Sequence, residues 1–178
     1  TIPLRLIIKK LFHMRNFLFL TSIFVLFSFR SIGQNQRLQA NYIYNIIKYI
    51  NWPESYKTGD FVIGVLGSSK VTVELKKLAA TKKVFAQSIS VVEFNSTADI
   101  SKCHVLFISN LSSGLIREAL AKVGSNATLI ISESPGLAAS GSAINFILKD
   151  ETLGFELNEV AIKRRGLQVD SKLKNLSL

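Results

Sequence analysis

FVIGVLGSSKVTVELKKLAA, residues 61–80, decides how this chain is read. Phe61 to Gly67 is a short apolar run between a Lys57-Thr58-Gly59-Asp60 turn and Ser68-Ser69. A run that is apolar without alternation suits a strand covered on both faces, as in a parallel sheet. Ser68-Ser69 can cap a helix, and Val71, Leu75 and Leu78 then recur at helical spacing. Lys76 and Lys77 fall in its last turns, where the helix dipole favours cations.

The same order repeats downstream. SISVVEF (88–94) and CHVLFIS (103–109) read as strands. Ser112-Ser113 then caps a helix to Val123, with Leu115, Ile116, Leu120 and Val123 inward and Gly124 at its end. ATLIIS (127–132) is a fourth strand. This alternation predicts an α/β fold, a mostly parallel sheet flanked by helices in a Rossmann-like three-layer arrangement. SAINFILKD (142–150) and TLGFELN (152–158) follow almost without a gap and predict a C-terminal antiparallel hairpin. Asp150-Glu151-Thr152 is a weak turn signal that leaves its register open. A last helix, 158–165, ends at Gly166. With no repeat and no long linker, residues 34–178 form a single expected domain.

Upstream, QANYIYNIIKYINWPE (39–54) reads as an amphipathic helix. Ala40, Ile43, Ile46, Ile47 and Ile50 share one face, Tyr42 and Tyr49 sit at its edge, and Asn45, Lys48 and Trp52 lie opposite. Pro53 disfavours helical backbone at Trp52, so the helix is expected to end near Asn51. Eleven residues are too few to cross a bilayer.

The first 33 residues hold Arg5, Lys9, Lys10, Arg15 and Arg30 and no acid. FLFLTSIFVLFSF (17–29) is an uncharged run of signal-peptide length, and Ser31 and Gly33 supply small residues for a cut before Gln34. Residues 14–33 are therefore expected to be a secretory signal, the rival being an uncleaved anchor that Arg30 would favour. Met14 heads the pattern and residue 1 is Thr, so Met14 stands as a candidate start with residues 1–13 upstream. Without those 33 residues the net charge falls from +10 to +5. Half the basicity belongs to export, and the remainder does not suggest a nucleic-acid partner. The cut product is expected to be periplasmic, with no membrane span of its own.

Cys103 is the only cysteine and cannot form an internal disulfide. Cys103-His104 is no dyad, because neighbours on a strand point to opposite faces. One His and one Cys also fall short of a metal site, and no cofactor motif is present. The turn Gly64–Ser69 lacks GxGxxG and the Walker lysine. Together with Ser132, Pro135 and Gly136 it could still line a small-ligand site at the carboxyl edge of the sheet, with Gly64, Gly67, Ser68 and Ser69 on one side. The competing reading is a plain turn and helix cap. Lys163-Arg164-Arg165 suits the end of the last helix, or an acidic partner or lipid surface. A hydrolase would need a base beside a serine, and no motif provides one.

QANYIYNIIKYINWPE, FVIGVLGSS, ISKCHVLFIS (100–109), TLIISESPGLAASGSAINFILKD (128–150) and FELNEVAIKRRGLQVDSKL (155–173) together resemble the YfiR-like family of exported bacterial proteins. The resemblance covers about residues 39–176 and contains no catalytic signature. It implies a periplasmic, non-enzymatic α/β regulator that binds and represses the sensor part of an inner-membrane diguanylate cyclase, or of a histidine kinase. Output would then be cyclic-di-GMP and biofilm. The best-known members carry redox-linked disulfides; here the partner half-cystines of Cys103 are missing, so that switch does not transfer. Tyr42, Tyr49 and Trp52 are the candidate partner contacts, since aromatics with one wet edge suit interface anchors. The alternative is that they close over the sheet as core, as Phe146, Phe155 and Leu157 would. An open hairpin edge would admit a homodimer or an added strand. A small-ligand module without a fixed membrane partner is the rival function.

Overall fold

Seven strands lie in one sheet in the order β3-β4-β2-β5-β6-β7-β8. They are β2 (Phe61–Leu66), β3 (Lys83–Val84), β4 (Gln87–Phe94), β5 (Val105–Ile108), β6 (Leu129–Ser132), β7 (Ile144–Lys149) and β8 (Thr152–Leu157). The computed structural model describes residues 32–149 and 152–178, and the signal sequence expected at 14–33 lies almost wholly outside them. β4, β2, β5, β6 and β7 run parallel, while β3 and β8 close the two ends antiparallel. The C-terminal hairpin is present, with Ile144 opposite Leu157 and Lys149 opposite Thr152.

The central strands are buried on both faces, as their unbroken apolar runs require. Phe61, Ile63 and Val65 of β2, with Val105 and Phe107 of β5, join one apolar cluster; Leu66, Leu106 and Ile108 join the other. The first cluster is completed by α1 (Ile32–Ile47), α2 (Val71–Ala79) and α4 (Glu159–Arg164). The second is completed by α3 (Ile116–Val123) and Phe94. Cys103 falls in the second cluster, and the neighbouring His104 packs against Phe61 of the first, so the two point apart.

Most local signals behave as physics predicts, but Ser112 and Ser113 fall inside a 3-10 stretch and do not cap the helix that begins at Ile116. Ser69 Oγ accepts from Val71 N–H at 3.2 Å, Asn158 Oδ1 caps α4 at Ala161 N–H, and Gly124 and Gly166 end their helices at positive φ. Leu115 departs from its expected inward position: it is 38 % exposed. A 3-10 stretch, Asn110–Leu115, precedes α3 and rotates it away from the α-helical wheel.

The largest correction concerns α1. It stops at Ile47, and Ile50–Asn51 instead form β1, paired antiparallel with β9 (Gln168–Val169) in a small second sheet. Trp52 is therefore no longer on the helix. Extended backbone turns it into the core, where it is 4 % exposed, rather than opposite the aliphatic stripe. A final short helix, α5 (Ser171–Lys174), follows β9, and Leu178 N–H donates to Phe155 O on the outer side of β8. That end of the sheet is thus partly covered by the chain itself.

Candidate functional site

The sheet reverses its winding between β2 and β5, and open α/β sheets bind ligands at the carboxyl side of such a point. Here that crevice is filled from within. A Cβ on Gly67 would run into Ser112 Oγ, and one on Gly64 would lie 2.5 Å from the Phe94 ring. Ser132 is wholly buried, its Oγ 2.8 Å from both Ser142 Oγ and Asn145 Oδ1. Glu133 accepts from Gln39 Nε2 at 2.8 Å and from Asn110 N–H at 2.9 Å, which ties α1 to this edge. Ser68, Pro135 and Gly136 are exposed, and Ser69 is occupied as a helix cap. Of the residues expected to line a ligand site, Ser132 is thus sealed within the sheet, while Ser68, Pro135 and Gly136 reach the surface.

Two recesses hold the aromatic residues singled out by sequence. Tyr42 and Tyr49 share a groove of about 420 Å³ with Ile46, Phe155, Leu173 and Leu176. Tyr42 meets Phe146 and Phe155 edge-on, with centroids 6.1 and 6.3 Å away, so its ring has one packed and one open side. The three aromatics singled out by sequence thus divide: Tyr42 and Tyr49 belong to this groove, Trp52 to another.

Trp52 lines a cleft of about 310 Å³ at the amino edge of the sheet, with Tyr56, Phe61, Phe85, Gln87 and His104. His104 organises it. Its ring stacks on Phe61 at 4.2 Å, with Tyr56 edge-on at 5.3 Å, and Trp52 meets Phe61 edge-on at 5.2 Å. Val62 N–H donates to Nδ1 at 3.0 Å, and Nε2 lies 2.7 Å from Tyr56 O. Nδ1 accepts, so Nε2 carries the proton and the imidazole is neutral. Burial holds its pKa below the ordinary value, the carbonyl of Tyr56 pulls the other way, and Lys102 adds to the depression. Gln87 Nε2 donates to Tyr56 O and Gly59 O, both at 3.1 Å, which fixes the cleft floor.

Two features of this cleft were not legible in the sequence. Trp52 Nε1 is buried with no hydrogen-bond partner, a cost of roughly 1–3 kcal/mol for a neutral donor. Phe85 stands at φ +52 in the two-residue turn joining β3 to β4, 69 % exposed. Neither a β-hairpin there nor a bulky residue in left-handed backbone is suggested by Val84-Phe85-Ala86.

Chemistry at these positions is quiet. Burial pushes the Cys103 thiol up to about 12, so it stays protonated at neutral pH and is no nucleophile. His104 has both nitrogens engaged by the backbone and offers no free base. Among the described residues, no group of three His, Cys, Asp or Glu gathers that could hold a metal, and no helix is long and apolar enough to cross a membrane.

The fold is that of an α/β domain with a mostly parallel sheet and two aromatic recesses. Residues 36–177 match the model of the family described as YfiR/HmsC-like. The chain belongs to that family.

Proposed function

We propose that this protein is an exported regulator that binds the periplasmic part of an inner-membrane sensor and restrains it. Family membership across residues 36–177 carries the reading, and supports a periplasmic regulator in cyclic-di-GMP signalling that acts by contact rather than catalysis. The sensor is a diguanylate cyclase or a histidine kinase, and repression lowers biofilm-type output. The contact surface is the groove beside α1, where Tyr42 and Tyr49 present half-buried rings next to Leu173 and Leu176. Such rings contribute much contact area for little conformational entropy, as interface anchors do. Trp52 is a poor direct contact, because it is sealed in the core.

The test is capture of the tagged protein, crosslinked in its native cell envelope, with Tyr42→Ala and Tyr49→Ala alongside. Enrichment of one membrane sensor with a cytoplasmic cyclase or kinase domain, weakened by both variants, supports the reading. Capture that ignores both tyrosines removes this groove from it; no sensor at all removes the function.

The second reading, a small-ligand module, is favoured by the cleft at Trp52. A flat apolar molecule would suit the ring walls of this cleft, where the Phe85 ring is exposed. Native mass spectrometry of the protein purified from its own cells tests it: a stoichiometric bound small molecule lost in Phe85→Ala supports it, and a bare protein opposes it.

A further inference from the structure

Arg165 is 7 % exposed, and among the described residues no acidic side chain pairs with it. Nη1 donates to Ala161 O at 3.3 Å, one turn back in α4, and Nε is buried with no partner. The five ion pairs among the described residues all use lysine, and Glu159, the acid on α4, is taken by Lys163 and Lys174. Arginine stays charged at any physiological pH, so burial without a counter-charge is costly. Desolvation, with Arg164 beside it, lowers its pKa from the ordinary value, which expresses the same conflict.

Arg165 and the exposed Arg164 line a common cleft of about 420 Å³, set between the end of α3 at Gly124, the turn at 139–141 and α4. No acid lines it. Ser140 and Asn158 add polar atoms, while Leu120 and Val160 supply an apolar wall. Asn158 is spent on the Ala161 cap and on Ala138 O, so the guanidinium groups are the uncommitted donors. A guanidinium presents its N–H groups as a planar fork that matches an oxyanion. With Nη1 held by Ala161 O, the Nε–Nη2 edge is the one left over.

We propose that this cleft is a binding site for a phosphate-bearing ligand, with Arg165 and Arg164 as its guanidinium pair. Two cations and no acid fit a phosphomonoester, which carries about −1.5 to −2 at neutral pH, better than a singly charged carboxylate. The volume leaves room for a small substituent beyond the phosphate, against Leu120 and Val160. The phosphate comes from a soluble ester or from a lipid headgroup. The site is separate from the Tyr42–Tyr49 groove and does not depend on the membrane-sensor reading.

The experiment titrates the purified protein with inorganic phosphate and with glycerol 3-phosphate, against chloride at matched ionic strength, by calorimetry and thermal unfolding. In parallel it sediments the protein with vesicles of phosphatidic acid in phosphatidylcholine, against phosphatidylcholine alone. Saturable binding of glycerol 3-phosphate, weakened about tenfold or more by Arg164→Ser, supports a soluble ester. Sedimentation with phosphatidic acid alone, lost in Arg164→Ser, supports the headgroup. Arg165→Met is the second variant: removing an unpaired buried charge leaves the ligand-free protein at least as stable, yet abolishes the phosphate-dependent rise in Tm. Absence of saturable binding in both arms overturns the proposal, as does binding that survives Arg164→Ser and Arg165→Met.

Discussion

Gly64→Ala separates the two roles open to this glycine. Gly64 lies in β2, paired with β4 through Val92 and with β5 through Leu106, so no neighbouring backbone can move aside cheaply. A Cβ there would lie 2.5 Å from Phe94 Cε2, 3.2 Å from Cδ2 and 3.4 Å from Leu106 Cδ1. Phe94 is 4 % exposed and packed with Leu106, Ile108 and Ile130, which leaves its ring little space to retreat. Overpacking of this kind costs about 1–3 kcal/mol. Reduced freedom of the unfolded chain returns about 0.4–1 kcal/mol, since Gly64 does not hold positive φ. A 2.5 Å contact in a strand paired on both sides places the cost at about 2–3 kcal/mol, so the net loss is about 1–2.6 kcal/mol, which for a domain of this size lowers Tm by roughly 2–10 °C. Urea unfolding reads it as a lower midpoint at unchanged slope, because the exposed area does not alter. Phe94→Leu in the same chain should recover part of the loss, as the two sites share one contact. A Gly64→Ala protein as stable as its parent would refute the packing argument and return Gly64 to the ligand-lining role its sequence context suggested.

Two further outcomes follow from the amino-edge cleft. His104 is held below the ordinary imidazole pKa by burial, so the unfolded chain binds more protons than the folded one. Its contribution to stability is complete above about pH 6.5 and is lost as pH falls below that value toward the folded pKa; urea midpoints from pH 8 to 5 should decline, and an equal decline in His104→Gln would dismiss this cause. Phe85→Gly relieves left-handed backbone at a ring already in solvent and should raise stability by about 0.5–1 kcal/mol. A lowered urea midpoint would mean that the Phe85 ring packs more than its exposure indicates.

Sequence alone determined the elements whose signal is local. FVIGVLG suited a strand covered on both faces, since a short apolar run bounded by turn residues leaves no polar face for water, and Phe61–Leu66 is that strand. Ser69, Gly124 and Gly166 marked helix ends because capping and positive φ depend on one or two residues, whereas the Asn158 cap appeared only in the structure. The Cys103–His104 divergence followed from the two-residue period of a strand. Tertiary structure decided the rest. Ile50–Asn51 became a strand because Gln168–Val169, over a hundred residues away, supplies its partner, and that pairing turned Trp52 inward. Gly64 and Gly67 sit where ligands often bind, but Phe94 and Ser112 arrive from other elements and fill the space a Cβ would need. Arg165 reads as one of three exposed cations at a helix end; only the packing of α3 and the 139–141 turn buries it without an acid. Local signals depend on neighbours in the chain, whereas the burial of a charge or a ring depends on what long-range folding brings against it.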